Sequence, residues 1–243
     1  MKLGVNVDHI ATLRNARLSA GEKPRAVHPD PVRAALVCQR SGAHSIVMHL
    51  REDRRHIRDR DLFLAKDALR IRLNLEMSIA PAIVSVALRL KPHQATLVPE
   101  KRMERTTEGG LDLFKNPARL TRTIGRLKDR GIEVSLFIDP DLRQIELAKK
   151  IRADAVEFHT GDYAQAFDGS QRMREWRRLG EATLAAGRMG MTAHAGHGLD
   201  YANVSLLKKI QGLEELNIGY AIIARSLVTG LENAVKEMKR LVT

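Results

Sequence analysis

The 243-residue chain is short of several things at once, and each shortage excludes a class of protein. Its single cysteine, Cys38, rules out an internal disulfide and a thiolate metal cluster. Cys38 lies in the helical pattern "PVRAALVCQRSG" and reads as a small buried hydrophobe. No apolar stretch approaches the roughly 18 residues that cross a bilayer. The opening "MKLGVNVDHI" lacks the apolar region and cleavage site of a signal peptide, so none is expected. Aromatic residues make up 4% of the chain against 44% hydrophobic residues overall, so the core must be aliphatic. No linker, low-complexity tract or composition shift divides the chain, and one domain over 1–243 is expected. A cytoplasmic protein with no membrane partner fits these absences.

The charge is lopsided, at +12. Basic residues are spread along the chain among acids, with no aromatic platform, which argues against a nucleic-acid partner. Attraction of phosphorylated small molecules is the better reading.

What is present is a recurring unit: a short apolar run, a turn, then a segment of helical period. Candidate strands are 2–7, 44–49, 72–77, 94–99, 133–138, 154–159, 190–195 and 215–219, with the character of strands buried on both faces. Helical segments are expected at 30–41, 59–71, 80–90, 116–130, 141–150, 171–188, 201–211 and 229–242. Asp30 before Pro31, and Asp139 before Pro140, read as helix caps. Gly42, Gly131 and Gly187 read as helix stops. Eight such units in about 250 residues predict a (β/α)8 TIM barrel. An open dinucleotide-binding sheet would carry a glycine-rich loop after its first strand, and "NVDHIATLRNAR" has none.

In a barrel the reaction site lies at the C-terminal strand ends. There the sequence places Asn6, Asp8 and His9; His49 and Arg51; Asn74 and Glu76; Glu100, Lys101 and Arg102; Asp139; Glu157 and His159; His194 and His197; and Asn217 and Gly219. Glu76, in an apolar run, is either half of a structural ion pair or a general base. Exposed amides at Gly198, Gly219 and Tyr220 suit one phosphate. Arg17, Arg51 and His56 suit a second, because a guanidinium fork matches phosphate oxygens. Two phosphate sites would suit a substrate, or a substrate pair, with two phosphates. The glycine-containing "TTEGG" (106–110) is expected to fold over the bound substrate. A metal-dependent barrel hydrolase or aldolase acting on a phosphorylated small molecule, with ligands among His9, His49, Glu76, His194 and His197, is the alternative.

The blocks "GVNVDHIATLRNAR", "HLREDRRHI", "NLEM", "LVPEKR" with "TTEGGLD", "VSLFID", "HTGDYA", "AGHGL" and "ELNIG", in this order along nearly the whole chain, resemble the pyridoxine 5′-phosphate synthase family. The resemblance implies a barrel with additional short helices, a homo-octamer, and no metal or organic cofactor. It implies condensation of 1-deoxy-D-xylulose 5-phosphate with 3-amino-2-oxopropyl phosphate, with pyridine ring closure and release of inorganic phosphate and water. By motif, His49 and Glu76 match proton acceptors and His197 a proton donor. Asn6, Asp8, His9, Arg17, Arg51, His56 and Thr106 match substrate contacts, and Gly198, Gly219 and Tyr220 match phosphate-binding positions. The chain departs from the family's frequent "NAGHGL" and "NIGHAII" at His194 and Tyr220. Its 18–27 segment is also longer than expected, and the geometry of that loop is the open point.

Overall fold

A computed structural model describes residues 1–16, 28–100, 109–166 and 168–243. Arg17, Thr106, Lys101, Arg102, the 18–27 segment and most of "TTEGG" lie outside the described residues. In chain order the elements are β1 (Lys2–Asn6), α1 (Asp8–Asn15), α2 (Pro31–Arg40), β2 (Ser45–Leu50), α3 (Asp59–Ala68), β3 (Arg72–Met77), α4 (Pro81–Leu90), β4 (Gln94–Leu97), α5 (Pro117–Lys128), β5 (Glu133–Ile138), α6 (Leu142–Lys150), β6 (Ala155–His159), α7 (Gly161–Gln165), α8 (Gly169–Arg188), β7 (Thr192–Gly196), a 3₁₀ turn (Val204–Lys209), β8 (Leu213–Ile218), α9 (Tyr220–Thr229) and α10 (Leu231–Val242). The eight strands are all parallel and close in chain order into a barrel, the expected TIM architecture.

Alternation along each strand sorts the side chains into two populations. Leu3, Val5, Ile46, Met48, Leu50, Leu73, Leu75, Met77, Val134, Leu136, Val156, Phe158, Leu216 and Ile218 join the helices in one aliphatic core outside the sheet. The intervening positions are mostly polar and face inward. They follow each other around the barrel in register: Gly4 beside Ser45, His49 beside Glu76, Thr96 beside Ser135, Glu157 beside His194, and His194 beside Glu215. Ser45 Oγ donates to Glu215 Oε1 at 2.7 Å although β1 lies between their strands, and Thr96 Oγ1 donates to Asn74 Oδ1 at 2.9 Å. A barrel lumen is more often layered with Val, Ile and Leu; here cohesion comes from outside the sheet and hydrogen bonding from within.

Asp30 caps α2 as expected, its carboxylate accepting from Val32 N at 2.9 Å. The cap of α6 is Asp141, bonded to Gln144 N at 3.1 Å; Asp139 is turned toward His159 instead. Gly42 and Gly131 sit at positive φ beyond their helices, whereas Gly187 lies inside α8 and Gly190, with φ 70°, makes that turn. The expected helix at 201–211 is the 3₁₀ turn. The additional helices are α1, α7 and α9, which start within two residues of a strand end. Among the described residues no helix is long and apolar enough to cross a membrane.

Candidate active site

The C-terminal strand ends surround a cavity of about 750 Å³ lined by residues from β1, β2, β3, β5, β6, β8 and the segments that follow them. The chain leaves β1 at Asn6 and enters α1 at Asp8, so both side chains stay at the mouth. Asn6 Nδ2 donates to Asp8 Oδ2 at 2.9 Å and reaches Glu76 Oε2 at 3.5 Å. The other Asp8 oxygen accepts from the backbone N–H of His49 at 2.9 Å, which ties the exit of β1 to that of β2. The register of β2 and β3 puts His49 beside Glu76, with Nδ1 and Oε2 4.0 Å apart. Across the cavity Glu157 is held by Asn217 Nδ2 at 2.7 Å. His197 enters from the turn after β7 with φ 84°, a conformation that non-glycine residues adopt at a cost of about 1–3 kcal/mol.

Burial sets the electrostatics. Glu76 is pushed well above the usual carboxylate range, first by desolvation and then by the charges of Glu157 and Asp8. Desolvation also raises Asp8 to about 7 and Glu157 to about 7. Three carboxylates around one cavity therefore carry fewer than three negative charges at neutral pH. The histidines move the other way, again mainly by desolvation: His49 falls to about 3, and His56 and His197 to about 4. Neutral imidazoles thus face partly protonated carboxyls.

Two flanks of the cavity suit anions. On one, Arg51, Arg55 and His56 follow β2. Arg14 in α1 positions this segment, donating to both oxygens of Asp61 at 2.8 and 2.9 Å and to the carbonyl of His56 at 2.9 Å. On the other flank, Gly198, Gly219, Tyr220 and Ala221 line the wall. Gly219 precedes α9 with no side-chain cap, so the first-turn amides and the positive end of the helix dipole are available to an anion. Tyr220 is 71% exposed, and its ring packs edge-on against His9 with centroids 5.4 Å apart.

The model of the family described as "Pyridoxal phosphate biosynthesis protein PdxJ" matches residues 3–243. The chain belongs to the PdxJ family. Its relatives include the pyridoxine 5′-phosphate synthase of Magnetococcus marinus, 54% identical over 98% of this chain and 96% of that protein. Those of Synechococcus sp. WH7803, at 52% over 99% and 94%, and Trichlorobacter lovleyi, at 48% over 99% and 98%, are similar. The chain is thus an enzyme of vitamin B6 biosynthesis. Solved structures share its fold at low identity. KGPDC from Streptococcus mutans superposes with TM-score 0.66 at 10% identity, covering 99% of this chain and 96% of that one. Phosphoribosyl anthranilate isomerase from Thermus thermophilus gives 0.60 at 11%, covering 100% and 98%.

Of the residues named from the PdxJ-like motifs, Asn6, Asp8, His9, His49, Arg51, His56, Glu76, His197, Gly198, Gly219 and Tyr220 all line this one cavity; Arg17 and Thr106 lie outside the described residues. His194 does not line it. Its position in register with Glu157 and Glu215 puts the ring deeper in the lumen, 2% exposed, rather than beside His197. The five residues of the metal reading do not gather as a set; among the described residues the ligand atoms within 4.8 Å of one another belong to Asp8, His49 and Glu76.

Sequence reasoning placed Glu157, Asn217 and Glu100 at strand ends without giving them a role, and did not single out Arg55. Glu100, after β4, lies 4.0 Å from His49 Nε2 and 3.7 Å from Arg51 Nε, and burial raises its pKa. The available signal was a charged or amide residue at an inward strand position, which Glu157 and Asn217 both satisfy.

Proposed function

We propose that this cavity condenses 3-amino-2-oxopropyl phosphate with 1-deoxy-D-xylulose 5-phosphate and closes the pyridine ring of pyridoxine 5′-phosphate, releasing phosphate and water. The observation that carries the reading is one cavity with an anion-binding flank at each side and acid–base groups between them. Arg51 and His56 would take one phosphate, and the amides of Gly198, Gly219 and Tyr220 the other. The substrate's own amine serves as the nucleophile toward the ketone of its partner, so no enzyme lysine is needed. Glu76 and neutral His49 accept protons from carbon or hydroxyl during ring closure. The raised pKa of Glu76 makes its carboxylate a stronger proton acceptor. His197 gives a proton to the departing hydroxyl or phosphate oxygen; phosphate dianions brought against it raise its proton affinity. Glu157, oriented by Asn217, faces the positive charge that develops as amine becomes imine.

The test is incubation of the purified protein with both phosphates. A pyridine chromophore and inorganic phosphate should appear together, with neither formed from one substrate alone; folded protein that yields no pyridine overturns the reading. Self-association into the expected octamer belongs to the same proposal, supported by exposed Leu227 and Val228 at the end of α9 and measurable by light scattering. The Asp8, His49 and Glu76 cluster supports a second reading, a divalent-cation-dependent aldolase or hydrolase. Chelation followed by metal restoration separates the two: turnover by the condensing synthase survives chelator, and turnover by the metalloenzyme does not.

A further inference from the structure

The exits of β5, β6 and β7 form a unit that acid–base roles for Glu76, His49 and His197 leave unused. Asp139, just past β5, accepts from the backbone N–H of Gly110 at 3.0 Å and faces His159 Nδ1 at 3.5 Å. Its carboxyl is held below its ordinary value, first by hydrogen bonding from His159. His159 closes β6, with its side chain 10% exposed. On one side its ring meets the edge of Phe137, centroids 5.5 Å apart, and on another it lies against His197 at 4.9 Å. His159 Nε2 has no hydrogen-bond partner among the described residues. Gly161 makes room for the ring, since a Cβ there would come within 2.5 Å of His159 Cε1. The neighbouring Thr160 reaches the same turn: its hydroxyl lies 2.7 Å from the carbonyl of Gly196 and 2.5 Å from that of His197. Two consecutive residues of β6 and its exit thus grip His197, one by its ring and one by its strained backbone.

We infer that His159, anchored by Asp139, is a positioning residue for His197: it fixes the His197 ring against the cavity and sets the pH range over which that ring carries a proton. The inference rests on the proton-donor role proposed for His197. Burial is the first cause that lowers the proton affinity of His197, and a positive charge on His159, with ring centroids 4.9 Å apart, lowers it further. Ionisable groups that line the cavity with His197 include Glu157 from β6, Asp200 beyond the β7 turn and His9 from α1.

The test is an NMR titration of histidine-labelled protein, with the His197 signal assigned by its loss in H197Q. In H159Q the His197 midpoint should move to higher pH. D139N, which keeps the imidazole but removes its anchoring charge, should move it in the same direction by less. Turnover in H159Q should fall by about 10- to 100-fold, carried by kcat with KM for both phosphates little changed, as expected for a misplaced reacting group. An unmoved midpoint in both variants overturns the inference, whatever happens to turnover. The titration needs no substrate, so it decides the pairing even if the condensation chemistry proves wrong.

Discussion

At the N-terminal end of the barrel Arg72 meets Glu133 at 2.6 Å, Lys128 pairs with Asp154, and Lys2 meets Glu214 at 3.2 Å. At the C-terminal end His49 reaches Glu76 and Glu100 only at 4.0 Å, and Arg51 reaches Glu100 at 3.7 Å. The lower pairs are about a third to a half exposed, so each charge is answered by a partner and by water. The upper groups are almost fully buried, so desolvation dominates their electrostatics. Neutralised pairs need little from the fold and contribute little to it. The crowded mouth is held against its own repulsion by the aliphatic shell, and its reward is a set of displaced pKa values.

That contrast can be broken or sharpened in order of expected effect. Glu76→Gln keeps the shape of the mouth and removes an acid whose pKa burial raises; turnover should fall by about 10²- to 10⁴-fold with the circular dichroism spectrum unchanged. Gly4→Ala strikes the lumen below: the added Cβ would fall 2.0 Å from Asn217 Oδ1 and 2.7 Å from Ser45 Oγ. Overpacking of this kind costs about 1–3 kcal/mol, readable as a lower midpoint in urea.

Glu157→Gln tests the burial penalty through pH. The folded-state pKa, about 7, lies above the ordinary 4.5, so the native state holds its proton more tightly and loses stability as pH rises through that window. The variant should therefore gain on the wild type at pH 8, by on the order of 1 kcal/mol, and show no gain at pH 4. Arg72→Met, at the paired end, should cost at most about 1 kcal/mol and leave turnover unchanged. A large loss of activity there would erase the distinction between the two ends.

The barrel was legible because each strand carries a dense aliphatic stripe and each connection a turn signal. The runs at 72–77 and 133–138 are strands over the full length read from the sequence. What escaped were elements with no punctuation. Helix α1 begins at Asp8, two residues after Asn6, and α9 begins at Tyr220 straight after Gly219. In a chain read by turns, both look like loop. Asp139 and Asp141 show the same limit at one cap: either spacing from Pro140 suits a helix start, and only His159, brought close by the barrel, draws Asp139 away. Residues from separate motifs were correctly expected to converge, because strand ends converge in this fold. Pairings such as Asn217 with Glu157, sixty residues apart, depend on the stagger of closure, which no single segment encodes.

The turn at His197 has one more consequence. With φ at 84°, the main chain there would be easier with glycine or asparagine, while the proposed proton transfer needs imidazole. Selection for heat tolerance alone would discard this side chain early, and selection for growth without added vitamin B6 would restore it. Variants ranked by melting temperature should therefore be checked at position 197 before they are called improvements.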